Sequence, residues 1–246
     1  MWGFIVTIYN IVFYIPLLNG LFFLTNLLPN GDLGTAVIIL TVFIRLLIFP
    51  LNHKMIKTQQ TMKKIEPEIK LIQKDSKNKE EQGRALMELY RSHGINPFSG
   101  FFSLFIQLPL LIALFKVFQK DIFSQSSLAY SFILIPNSIN TLFLGFIELT
   151  KTSYWLSAVA AISQFTQIKL ATPTQNKDQS SNKAPDFASI MQKQMAYMLP
   201  IMIFIFSLNL PSAVALYWTV MNVFAIVHEA IVRRKTITTT IITSHQ

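Results

Sequence analysis

The chain has 246 residues, of which 52% are apolar and 13% charged, with mean hydropathy +0.44 and net charge +9. A soluble domain carries about 25% charged residues, so long apolar runs with so few charges predict an all-α, polytopic membrane protein. The absence of cysteine excludes disulfides, thiolate metal sites, Cys nucleophiles and a lipidated cysteine.

Residues 1–31 contain no Lys, Arg, Asp or Glu. A secretory signal peptide would begin with a basic stretch, which is missing. Two readings stand, a helix lying along the outer interface or an additional crossing helix. Pro16 and the scattered Asn residues favour the interfacial one. The first span is expected at about 33–51. Its single charge, Arg45, lies inside an apolar run, where an arginine costs roughly 2.5–3.5 kcal/mol on insertion scales. Either it snorkels to the nearer interface or it meets water, a polar partner or a substrate within the membrane. Thr41, four residues earlier, shares its helix face.

Residues 54–93 carry ten basic and six acidic residues. Met62, Ile65, Ile69 and Ile72 recur on one helical face, Asp75 to Asn78 reads as a turn, and Glu80 to Ser92 reads as a second helix stopped by Gly94 and Pro97. The prediction is a helical hairpin standing off the membrane. A second span follows at about 99–118, interrupted by Gln107 and Pro109. Residues 119–152 are apolar, but Pro136, Asn137 and Asn140 make a crossing costly there. A third span at about 153–170 is polar for a membrane helix, with Ser163, Gln164, Thr166 and Gln167. The 171–194 stretch reads as a hydrophilic loop. Spans four and five, about 195–210 and 213–232, form a pair turned by Pro211 and Ser212, and a polar tail follows Lys235. Tyr217 and Trp218, early in the fifth span, belong either to the outer aromatic belt or to the interior.

Basic residues number ten in 54–93, four in 169–194 and three in 233–235, against none in 1–31 and three in 116–152. The positive-inside rule then puts the hairpin, the second loop and the C-terminus in the cytoplasm and the N-terminus outside. Five spans is the consistent solution. The charge therefore needs no nucleic-acid partner. No catalytic residues, metal or cofactor are expected, and the chain is not expected to be an enzyme. The four histidines form no His-x-x-x-His pair, no carboxylate lies deep in a span and no glycine pattern cradles phosphate. A neutral, hydrogen-bonding set with one fixed positive charge suits solvation of a polar segment. The alternative is a small-solute channel or anion transporter using Arg45 as a selectivity charge.

The order of motifs is distinctive: I-R-L-L-I-F-P-L at 44–51, a basic hairpin ending L-Y-R-S-H-G-I-N-P-F-S-G, and F-I-Q-L-P-L-L-I-A-L-F at 105–115. S-Q-F-T-Q-I-K-L and L-P-S-A-V-A-L-Y-W-T-V-M-N follow. From about Tyr9 to Arg234 the chain resembles the YidC/Oxa/Alb family of membrane protein insertases. The resemblance implies a five-helix core whose hydrophilic groove opens to the cytoplasm and to lipid, in a bacterial inner membrane. It implies groove positions at Arg45, at Gln164 or Gln167, and at Tyr217 and Trp218, with Thr41 and Gln107 beside them. Nascent membrane proteins and the lipid bilayer are the implied partners, with the ribosome or the Sec translocon as further candidates. The chain departs from some bacterial members in having no large extracytoplasmic domain before the first span. It also has Phe101 where many members have Cys, and only a short, briefly basic tail.

Overall fold

The computed structural model describes residues 2–75, 78–96, 99–119, 122–171 and 187–243. Side chains beyond Val232 fall outside the description, as do those of 99–106. Ten α-helices appear among the described residues: α1 (Trp2–Tyr9), α2 (Ile15–Leu27), α3 (Leu33–Leu47), α4 (Phe49–Lys64), α5 (Glu66–Asp75), α6 (Lys79–Ser92), α7 (Ser99–Gln119), α8 (Tyr154–Ala171), α9 (Phe187–Ser207) and α10 (Ser212–Thr243). A two-residue β-hairpin, β1 (Leu142–Phe143) with β2 (Ile147–Glu148), is the sheet content of the described residues. The chain divides into two compact units, 1–47 with 107–227 and 48–106 with 228–246.

In the first unit α1 and α2 are joined through a π-helical turn, Asn10–Tyr14, into one helical stretch. Leu28 leaves the helix in an extended conformation, and Asn30 and Gly31 both take positive φ. Asp32 then starts α3 as its cap, its Oδ1 accepting from Thr35 N at 3.0 Å. Leu17, Leu18, Leu21 and Phe22 of α2 are buried where α2 packs on α3. Gly20 lets the two helices approach: a Cβ there would lie 3.0 Å from Leu40 Cδ1. Helices α8 and α9 pack on each other and leave Trp155, Ile162, Ile201, Ile205 and Phe206 exposed. So much apolar surface facing outward fits a solvent of hydrocarbon rather than water.

Segment 122–153 is irregular. It opens with a 3₁₀ turn, Phe123–Leu128, and continues to the β-hairpin, turned by Leu144 and Gly145 at positive φ. It is fastened to the N-terminal helices by polar side chains and by backbone. Asn19 Nδ2 donates to Leu128 O (3.0 Å) and Asn19 Oδ1 accepts from Tyr130 N (2.7 Å). Asn26 donates to Leu134 O, and the Tyr14 hydroxyl to Gln125 Oε1. Leu33 N and Asn140 N complete the join, donating to Asn140 O and Gly31 O at 3.0 Å each. The same segment seats α10: Ser212 N donates to Lys151 O (2.7 Å), Ser212 Oγ to Glu148 O (2.8 Å) and Ala213 N to Leu149 O (3.0 Å). Backbone donors of the helix start that have no partner within the helix are thereby satisfied.

In the second unit α5 and α6 pack as a hairpin, and α5 also contacts α4. Asn78 caps α6, its Oδ1 accepting from Glu80 N at 3.1 Å. Gly94, at φ +63°, ends α6, and Ile95 N closes the terminus on Tyr90 O at 2.8 Å. Met55, Ile65 and Ile95 are buried here.

Several expected boundaries move. The first apolar helix ends at Leu47 rather than running to Leu51, because Pro50 stands in the first turn of a new helix, α4. That helix continues to Lys64, so three helices rather than two occupy the interval expected as the hairpin. Helix α9 starts at Phe187, inside the stretch expected as loop 171–194: Gln192, Lys193 and Gln194 lower hydropathy without breaking a helix. Helix α10 continues through the expected polar tail to Thr243. Residues 97–98, including the expected stop at Pro97, and 172–186 lie outside the described residues.

Two helical stretches among the described residues are long and apolar enough to cross a membrane, Gly3–Leu27 and Ser212–Val232. Leu33–Leu47 with Phe49–Met62 makes a third if the pair is one broken span, and Gln107–Gln119 and Ala196–Ser207 are shorter apolar helices.

Candidate functional site

The charged residue of α3 is not left to lipid. Arg45 is half-buried, and its Nη2 donates to Gln107 Oε1 at 3.2 Å. Gln107 Nε2 in turn donates to the Tyr217 hydroxyl at 2.6 Å. A cation, an amide and a phenol from α3, α7 and α10 thus form one chain. The amide suits the middle place because it offers an acceptor at one end and donors at the other. The bond from the guanidinium is charge-assisted, which strengthens it in a medium of low dielectric. Tyr217 is 3% exposed, so its ring faces the interior and not an aromatic belt.

A second link ties α10 to α8. Asn222 Nδ2 donates to Ser163 Oγ at 3.0 Å, and Ser163 Oγ donates back to Ala160 O at 2.8 Å. Both residues are buried. At the next residue of α8, Gln164 Nε2 donates to Gln167 Oε1 at 3.2 Å. Gln164 is buried and Gln167 is the more exposed of the two. Helix α10 therefore carries polar partners on two faces, Tyr217 toward α7 and Asn222 toward α8.

Of the residues singled out from the sequence, Arg45, Gln107 and Tyr217 come together. Gln164 and Gln167 pair with each other. Thr41 is buried on α3 and its hydroxyl donates to Val37 O of its own helix at 2.6 Å, outside the Arg45 chain. Trp218, next to Tyr217, is half-buried. The pairing of Ser163 with Asn222 escaped the sequence, although a serine and an asparagine in two apolar runs were its available signal. Among the described residues no group of three or more His, Asp or Glu side chains could hold a metal.

Residues 23–239 match the model of the family described as 60Kd inner membrane protein. The chain belongs to this family of YidC/Oxa/Alb insertases. It is 32% identical over 229 residues to the membrane protein insertase YidC of Alkalihalophilus pseudofirmus, covering 89% of this chain and 80% of that one. It is 30% identical to the membrane protein insertase MisCA of Bacillus subtilis, over 84% of this chain and 72% of that relative. Among solved structures it is similar to an active YidC insertase with its first transmembrane domain resolved, at TM-score 0.59 and 26% identity. That likeness covers 89% of this chain and 45% of that one, so this chain spans under half of the solved protein. Family membership and the apolar helices together make this a multi-pass protein of a bacterial membrane.

Proposed function

We propose that this insertase receives a hydrophilic stretch of a nascent membrane protein against Arg45, Gln107, Gln164 and Gln167, and releases the adjoining apolar segment sideways into lipid. The hydrogen-bonded chain from Arg45 through Gln107 to Tyr217 carries the reading. A polar peptide entering hydrocarbon loses its hydration, at several kcal/mol for each unpaired polar group. Arg45 has donors beyond the one that Gln107 takes, and they suit a carboxylate or a backbone carbonyl. The paired amides of α8 supply both donors and acceptors and exchange partners at little cost. The driving force is transfer of the substrate's apolar helix into lipid, at ~0.8 kcal/mol per buried methylene, so nucleotide hydrolysis is not required.

The orientation proposed keeps the N-terminus outside and the hairpin and C-terminus in the cytoplasm. The distribution of lysine and arginine supports it. So does the irregular backbone of 122–153, which suits an aqueous or interfacial setting. Since α1 and α2 are hydrogen-bonded to that segment, residues 1–31 are proposed to lie along the outer surface, although Gly3–Leu27 is long enough to cross. The five spans are α3 with the start of α4, α7, α8, α9 and the first part of α10.

Photo-crosslinkers placed at Arg45 and at Gln164 test the reading against a stalled nascent chain. Crosslinks from both positions to the substrate's hydrophilic flank are expected. Insertion that proceeds with no crosslink from either position would overturn it.

A further inference from the structure

Two histidines in the second unit meet head to head. His53 Nδ1, on α4, lies 3.2 Å from His228 Nε2, on α10. Their ring centroids are 5.5 Å apart and their planes differ by 8°. The excess of centroid separation over nitrogen separation is what the two ring radii supply, so both nitrogens lie on the line joining the rings. Their lone-pair directions therefore oppose each other. A tetrahedral metal would need them to converge on a third point. One hydrogen fits between the nitrogens, donated by one ring and accepted by the other. Phe49 covers the pair, its ring 4.3 Å from that of His228 and 5.7 Å from that of His53, each at 18°. His228 is buried.

We propose that the His53–His228 hydrogen bond is a proton-gated latch holding the base of the α4–α6 hairpin to the final helix. The latch is closed while one of the two facing nitrogens lacks a proton. A second proton sets two N–H groups and two positive charges face to face, and the attraction becomes repulsion. Imidazole is the side chain whose ordinary titration spans the physiological range. Among the described residues, the charged neighbours in sequence are Glu229, buried next to His228 on α10, and Lys54 and Lys57, exposed on α4 with His53. Segment 99–106 of α7, in the same unit, carries no charged residue. These histidines are positioning residues, acting on the hairpin rather than on a substrate. The proposal stands apart from the insertase reading, since its test needs no substrate.

The chain has four histidines and no cysteine, which makes it clean for two labels. ¹⁵N-histidine spectra in lipid nanodiscs, taken from about pH 8 to about pH 5 across the ordinary histidine range, read the pair directly. A nitrogen–nitrogen coupling across the hydrogen bond is expected to persist through the first protonation step and to be lost in the second, each step moving both signals. Spin labels on Lys57→Cys and Ile231→Cys, both exposed positions, should show a narrow distance distribution that broadens on acidification. His228→Gln, whose amide can still bond to His53 but cannot titrate, should keep the narrow distribution throughout. The proposal is overturned if His53 and His228 titrate independently, or if the wild-type distance is the same at both ends of the range. Should the variant fail to fold, the wild-type spectra and distances decide alone.

Discussion

Arg45 reaches Tyr217 through a single amide, that of Gln107, which accepts from the guanidinium at 3.2 Å and donates to the phenol at 2.6 Å. The two ends of this chain stand far apart in sequence, and only the fold joins them. Removing either end therefore leaves the Gln107 amide one partner short.

Replacing Arg45 with Ala should lower insertion of substrates with charged translocated segments, and Arg45→Lys should retain more activity, since charge outweighs fork geometry in the proposed role. Protease protection in reconstituted vesicles measures both. Equal insertion by wild type and Arg45→Ala would sink the role of the guanidinium.

Gln107→Leu and Tyr217→Phe should not be additive. Each removes one partner of the same hydrogen bond, worth about 0.5–1.5 kcal/mol net. A double-mutant cycle on unfolding in detergent should return a coupling of that order. A coupling near zero would mean that the amide and the phenol do not interact.

The Asn222–Ser163 link should respond to Asn222→Leu and Ser163→Ala in the same manner. Interhelical hydrogen bonds in membranes average about 0.6 kcal/mol with a maximum of about 1.7, so thermal unfolding should shift modestly for Ser163→Ala. It should shift more for Asn222→Leu, which also changes shape at a site only 1% exposed.

Gly31 should tolerate no side chain. Its φ is +63°, and a Cβ would lie 2.6 Å from the backbone oxygen of Ser138. Gly31→Ala should cost more than the ~1 kcal/mol of an ordinary unfavourable φ and loosen the join between α2–α3 and segment 122–153. Limited proteolysis around Ser138 would report it.

Acidification should weaken the hydrogen bonds that the Glu148 carboxylate makes beside the β-hairpin. A hydrogen bond from the Thr141 side chain, then those of Thr150 and the charge of Lys151, hold its carboxyl below the usual carboxylate range, against a smaller opposing effect of burial. A lowered folded-state value stabilises above the unfolded one and is lost as pH falls through the folded one. Wild type should therefore lose thermal stability on acidification below the ordinary carboxylate pKa of about 4.3, and Glu148→Gln should lose less over the same interval.

Much of the fold was legible, for stated reasons. Apolar runs and the positions of Pro and Gly marked most of the helices, and Asp75 to Asn78 marked the turn of the hairpin. Arg45 and Gln107 stand out as polar groups in apolar runs, and Tyr217 through the aromatic pair that the family resemblance marks. Their mutual contact was not legible, since Gln107 lies 62 residues from Arg45 and 110 from Tyr217. Hydropathy also misled at two ends: it carried the first helix past Ile48, where Pro50 begins a new one, and it started α9 too late, because polar residues extend a helix as readily as apolar ones. His53 and His228 meet from different helices, 175 residues apart, and spacing along one helix carries no sign of such a pair.

The seat of α10 bears on how the chain is made. Ser212 hydrogen-bonds to Glu148, 64 residues earlier, and the receiving carbonyls of residues 148–151 leave the ribosome before α8 and α9 do. A docking place is thus synthesised well ahead of the helix that occupies it. When Ser212 and Ala213 emerge, the carbonyls that they bond to are already present in the chain.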